Sequence, residues 1–171
     1  MKSVDAKSLK VYSLFKGLSD SELKRIAGIV TMKEFDSNSA IIAEGEEGSD
    51  LFLLDDGVVD IHKTLTIVTS KNDFGSKERS FIRLTGEQHP YFGEMALFGN
   101  GQRSATVNAV TKCRVFAIKN DDFRTACEEQ PRIGYVVVTN IALILSNYLR
   151  KSNEDVIKLT TALSLALSGE G

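Results

Sequence analysis

Residues 91–107 read YFGEMALFGNGQRSATV, and this stretch decides how the rest of the chain is understood. Gly93 permits a backbone to approach a ligand closely, because no Cβ stands in the way. Glu94, Met95, Ala96 and Leu97 follow as one short helical turn whose first N–H groups have no partner within the turn, and such groups suit an anion. Nine residues after Glu94, Arg103 enters a strand, where a guanidinium can hold a phosphate by parallel hydrogen bonds. A nearby carboxylate can accept from a sugar hydroxyl or pair with the same arginine. Ser104 adds a hydroxyl and Ala105 keeps the wall small. These residues therefore suit a nucleotide, and they equally suit a structural Glu94–Arg103 ion pair on a turn.

Outward from this segment the chain is punctuated by glycine into short runs of β-forming residues: 40–43, 50–54, 58–69, 80–84, 104–110 and 112–118. So many short strands predict a sandwich or jelly roll. In the longest, Val59, Ile61, Leu65 and Ile67 share one parity, as in a half-buried strand, although Lys63 interrupts it. The polar run 71–78 predicts a loop at a hairpin tip. Upstream, Ser19, Asp20, Ser21 and Glu22 spell a capping box ahead of Leu23, Ile26, Ala27 and Val30 at helical spacing, which predicts a helix starting near Asp20. Downstream, Asn120, Asp121 and Asp122 offer caps for a helix over 123–129, and Pro131 stands where a further helix begins.

That last helix, read as 132–168, would be about 55 Å long. Val138, Ala142, Leu145, Leu149, Ser152, Val156, Leu159, Leu163 and Ala166 alternate four and three apart, the spacing of a coiled-coil seam. Ile133, Val136, Val137, Ile141 and Ile144 predict that the first half packs on the strands, and the row beyond predicts self-association as a homodimer. Ser152, polar in this row, would fix register or touch a ligand.

Composition excludes several alternatives. Of 171 residues, 42% are hydrophobic and 26% charged, as in an ordinary globular chain. With 21 basic and 23 acidic residues spread along the sequence, no basic face for direct DNA or RNA binding is expected. No signal peptide is evident and no apolar run reaches the ~20 residues of a bilayer span, so a cytoplasmic protein without membrane contact is expected. Cys113 and Cys127 suit buried free thiols, and His62 and His89 suit structural roles. No metal site or catalytic constellation is predicted, and the two distant histidines do not suit a metal-dependent cupin.

The stretch 92–107 resembles the phosphate-binding cassette of the cyclic-nucleotide-binding domain family. Phe15, Leu18, Ser19 and Leu23 resemble the family's first helix, and residues 44–61, EGEEGSDLFLLDDGVVDI, resemble its glycine-punctuated strand pair. The resemblance implies a non-enzymatic, mainly β fold: an eight-stranded jelly roll (double-stranded β-helix) with N-terminal helices and a long C-terminal helix. It divides the chain into a β-roll with its leading helices over 1–130, a lid and dimerisation helix over 131–168, and a tail over 169–171. It assigns Glu94 to the ribose 2′-hydroxyl, Arg103 and the amides of Met95 and Ala96 to the cyclic phosphate, and Gly93 to their approach. Ser104 and Ala105 complete the wall, and Ser152 and Asn153 match the place where bacterial relatives contact the base. The ligand implied is cAMP or cGMP: Ser104 fits both, and Arg103-Ser104-Ala105 has a bacterial, cAMP-binding look. Because no helix-turn-helix follows in this sequence, the expectation is a bacterial stand-alone sensor that couples ligand to its last helix and passes the signal to an unidentified effector. The alternative is a ligand-independent dimerisation or docking protein with a vestigial pocket.

Departures from the family pattern are few. Ser49 stands where many relatives carry Asp, with Asp50 next, and the strands over 58–84 are longer than usual.

Overall fold

The computed structural model describes residues 4–70, 73–98 and 101–168. Two four-stranded antiparallel sheets face each other: β1 (Val30–Phe35), β8 (Cys113–Lys119), β3 (Asp50–Asp56) and β6 (Tyr91–Phe92) in one, and β2 (Ala40–Ile42), β7 (Thr106–Ala109), β4 (Val58–Ser70) and β5 (Asp73–Thr85) in the other. Helices α1 (Ala6–Leu9), α2 (Asp20–Ala27), α3 (Asn120–Glu129) and α4 (Pro131–Ser168) flank them. The fold is the expected jelly roll.

Why β3 and β8 read as almost unbroken apolar runs is plain from their two faces. Leu51, Leu53, Phe116 and Ile118 face the helices and join Tyr12, Phe15, Ile26, Ile133 and Ile141 in one core. Phe52, Leu54, Val115 and Ala117 face the second sheet and join Ile42, Val59 and Val107 in another. A strand buried on both faces has no polar parity to show. Cys113 is buried and Cys127 half-buried, both free, so the expectation of two buried thiols is corrected for Cys127, which lies against Gly134 near the surface of α3.

The polar run expected as a loop is strand from Asp73 onward. Cross-strand pairs from Val58–Thr85 to Ser70–Asp73 carry β4 and β5 well past β7, which stops pairing with β4 at His62. Pairing with an adjacent strand outweighs the turn-like composition of residues 73–79. The register shifts between Ile61 and His62, where Phe81 is the additional residue on β5. The expected tip at residues 71–72 and the tail 169–171 lie outside the described residues.

Helix α2 starts at the predicted capping box: Ser19 Oγ accepts from the Glu22 N–H, and the Glu22 carboxylate accepts from the Ser19 N–H at 2.7 Å. That same carboxylate pairs with Arg132 in the first turn of α4. Arg132 also donates to the Gly17 carbonyl at 3.0 Å, and Asn140 Nδ2 donates to the Leu14 and Lys16 carbonyls, both at 2.9 Å. The first half of α4 is thus fastened to residues 14–22, with Ile133, Val137 and Ile141 buried beneath it. By length and composition α4 could cross a membrane, which corrects the expectation that no stretch would. However, its first half belongs to the domain core, and its second half carries Arg150, Lys151, Glu154, Asp155 and Lys158.

Arg132, with the two Ser19 groups, lowers the Glu22 carboxyl from its ordinary 4.5 to about 2. A carboxyl lowered by folding contributes stability above its unfolded value and loses it as the pH falls toward the folded one. Urea unfolding at several pH values is expected to show stability falling between pH 4.5 and about 2. In Arg132→Ala the fall over that interval should be shallower, from a lower neutral-pH starting point.

Candidate functional site

Backbone bonds fix the position from which Arg103 projects. The loop after β2 runs beside residues 101–103: Gly45 N–H donates to the Arg103 carbonyl and Arg103 N–H to the Glu46 carbonyl, each at 2.9 Å, and Gly48 N–H donates to the Gly101 carbonyl. Glu47 and Gln102 form a bridge between them. Glycine is required on this path for space. A Cβ on Gly48 would stand 2.7 Å from Arg103 Nε and 2.8 Å from Nη2. A Cβ on Gly93, whose φ is +79°, would stand 3.0 Å from Nη1. The guanidinium therefore lies between two glycines, 5.8 Å from the centre of the Phe52 ring, which itself stacks on Phe92.

Held there, Arg103 is incompletely satisfied. Its Nη1 is buried without a hydrogen-bond partner. Burial lowers the guanidinium's pKa from its ordinary value, and the nearby Asp50 carboxylate acts in the opposite direction. Among the described residues no ion pair joins Glu94 to Arg103, so the structural pairing that the sequence left open is not formed. Asp50 instead pairs with Lys33 at 2.8 Å. A buried cation with an open donor is costly by itself and is relieved by an anion.

The positive φ of Gly93 turns the chain into a 3₁₀ turn, Glu94–Leu97, that has no side-chain cap on its first N–H groups. Ser104 Oγ donates to Met95 Sδ at 3.5 Å and links this turn to the strand beyond Arg103. Both border a cavity of about 430 Å³, within the range of small-molecule sites. Gly93, Glu94, Met95, Arg103, Ser104 and Ala105 all line it, Ile42, Ile61, Leu84 and Val107 supply an apolar wall, and Ile141, Ile144, Leu145 and Tyr148 of α4 form the side opposite. The backbone of Ala96 belongs to the turn. Gly99 and Asn100, within residues 91–107, lie outside the described residues.

Ser152 and Asn153 are not brought to this cavity. Both are exposed on α4, beyond Tyr148, the last helix residue lining it. Sequence reasoning also passed over several lining residues. Residues 141, 144, 145 and 148 are spaced as one helix face, but in sequence terms Ile141 and Ile144 read as packing on the strands and Leu145 as part of the heptad row, and Tyr148 belongs to neither set. The roles of Gly48 and Phe52 depend on contacts that no local pattern displays. Among the described residues no group of three or more His, Cys, Asp or Glu is placed to hold a metal ion.

A β-roll with a half-buried arginine whose Nη1 is unpartnered, beside a glycine-led turn and under a long helix, has the makings of a small-ligand binding module. The family model "Cyclic nucleotide-binding domain" matches residues 32–130, more than half of the chain, and the chain belongs to that family. The cAMP-dependent protein kinase regulatory subunit of Yarrowia lipolytica is 30% identical over 116 residues, 68% of this chain and 28% of that protein. The chain spans less than a third of the length of the curated relatives it matches. The Thermus thermophilus Catabolite Activator Protein superposes with a TM-score of 0.71 at 26% identity, over 86% of this chain and 63% of that one. A cyclic nucleotide-binding domain from Methylobacillus flagellatus superposes with a TM-score of 0.74 at 16% identity, over 92% and 86% of the two chains, which shows the shared fold. The chain is thus a cyclic nucleotide-binding regulatory domain, a non-catalytic module.

Proposed function

We propose that the cavity binds a cyclic mononucleotide, cAMP in preference to cGMP, and that its occupation shifts α4 and so signals to an effector protein in the cytoplasm. The observation that carries this reading is the unpartnered Nη1 of Arg103, buried beside an apolar-walled cavity. In this reading the phosphate is held by Arg103 and the amides of Met95 and Ala96, with Gly93 leaving room for it. Glu94, free of Arg103, accepts from the ribose 2′-hydroxyl, and Ser104 and Ala105 close the wall beside the phosphate. The Yarrowia relative, named for cAMP, supports adenine as the base.

Coupling follows from the cavity's own composition. Ile141, Ile144, Leu145 and Tyr148 are one wall, so a ligand that fills the space contacts α4 directly. A ligand that prefers one helix position shifts the population toward it. Ser152 and Asn153 reach a base when α4 moves inward or when a second copy lies alongside.

A second reading, compatible with the first, rests on the exposed end of α4. Val156, Leu159 and Leu163 of the heptad row are 57%, 70% and 61% exposed, an apolar row that a second copy of the helix would cover. Homodimerisation through this row is proposed whether or not ligand is bound.

Thermal unfolding with cAMP, cGMP, AMP and GMP tests the ligand. At about 100 times Kd, stabilisation of about 2.7 kcal/mol is expected, a rise in Tm of roughly 5–11 °C. Arg103→Ala should weaken binding by roughly 1.5–3 kcal/mol, and unchanged affinity contradicts the assigned pose. Leu159→Asp combined with Leu163→Asp should give a monomer by light scattering, whereas a surviving dimer excludes this interface.

A further inference from the structure

Two residues that line the same cavity just ahead of the phosphate-binding turn carry further buried polar atoms without hydrogen-bond partners: Tyr91 Oη and His89 Nδ1. Neither has a role in the assignment above. His89 is held in the left-handed region at φ 46°, and its ring meets Tyr12 edge-on with centroids 5.5 Å apart. Tyr12 is fixed in turn by its hydroxyl, which donates to the Leu54 carbonyl at 3.1 Å. Backbone conformation and packing thus fix the place of His89 in the cavity wall.

Resting on the nucleotide reading of this site, we propose that Tyr91 Oη and His89 Nδ1 read the base, hydrogen-bonding the polar edge of the purine as it lies against α4. The chemistry of the surroundings agrees. A purine needs apolar surface for its faces, which Ile141, Ile144 and Leu145 supply. Its edge needs a few fixed polar groups, and a ligand site supplies few. The Tyr91 hydroxyl is pushed up to about 12, first by burial, then by Glu94 and Tyr148, so it keeps its proton and can both donate and accept. Glu94, the proposed ribose contact, lies close enough to Tyr91 to contribute to that shift, which places sugar and base readers side by side. On binding, these atoms regain the hydrogen bonds lost to water on folding.

Calorimetric titration of wild type, Tyr91→Phe, His89→Asn and Arg103→Ala with three ligands tests the assignment. The ligands are cAMP, cGMP and purine riboside 3′,5′-cyclic monophosphate, which retains ribose and phosphate but lacks the exocyclic groups of the base. Asparagine tolerates the left-handed conformation at position 89 and so preserves the local backbone. Tyr91→Phe should weaken the preferred natural nucleotide about tenfold and the purine riboside ligand less, so that discrimination among the three narrows. His89→Asn should narrow it in the same direction. Arg103→Ala should weaken all three alike. If Tyr91→Phe and His89→Asn leave the ratios of the three affinities at their wild-type values, the base-reading role is overturned while the phosphate site stands. If wild type binds none of the three, the nucleotide reading fails and this inference with it.

Discussion

The guanidinium of half-buried Arg103 has one nitrogen, Nη1, taken out of water without a partner. Desolvating an unsatisfied charged donor costs about 1–3 kcal/mol or more, and the structure organises around that cost. The loop after β2 clamps the backbone of residue 103 on both sides, glycines at 48 and 93 leave room on either side of the side chain, and Phe52 lies beneath it. Each of these devices determines where the charge sits. None of them neutralises Nη1. A module that spends stability in this way is poised to recover it from an anion, and the family to which the chain belongs is defined by ligands that carry one.

The second constraint is how α4 is attached. Its first turns are bound to the N-terminal segment through Arg132 and Asn140 and to the sheet through buried Ile133, Val137 and Ile141. Its middle borders the cavity, and its end is exposed. One rigid element thereby connects three environments: a fixed anchor, a ligand wall and an uncovered apolar row. In the proposed coupling, movement at the middle passes along the helix axis to the exposed end, with the anchor as the point about which it turns. This arrangement needs no enzymatic group.

Much of the fold was legible in the chain because local rules and tertiary contacts agree. The capping box set the start of α2, Pro131 the start of α4, and the β-forming runs 50–54 and 112–118 marked β3 and β8. Where they disagree, the sequence reading missed. β1 alternates Thr31, Lys33 and Glu34 with apolar residues weakly enough to escape notice, and β6 has two residues and no periodicity. Residues 73–79 have the composition of a loop, yet β4 offers them a partner along their whole length. At the site, Gly93, Glu94 and Arg103 were found through a compact motif. Gly48 and Phe52 were not, since each matters only through Arg103, about fifty residues away in sequence.

The most direct test of the account is a nuclear magnetic resonance titration that follows the Arg103 Nε–H signal, assigned by comparison with Arg103→Lys. Saturable displacement of that signal by cAMP, with little response to inorganic phosphate at the same concentration, is the predicted result. A signal that stays in place while cAMP binds elsewhere on the protein, or while none binds, would contradict the claim that this buried charge exists to hold the nucleotide's phosphate.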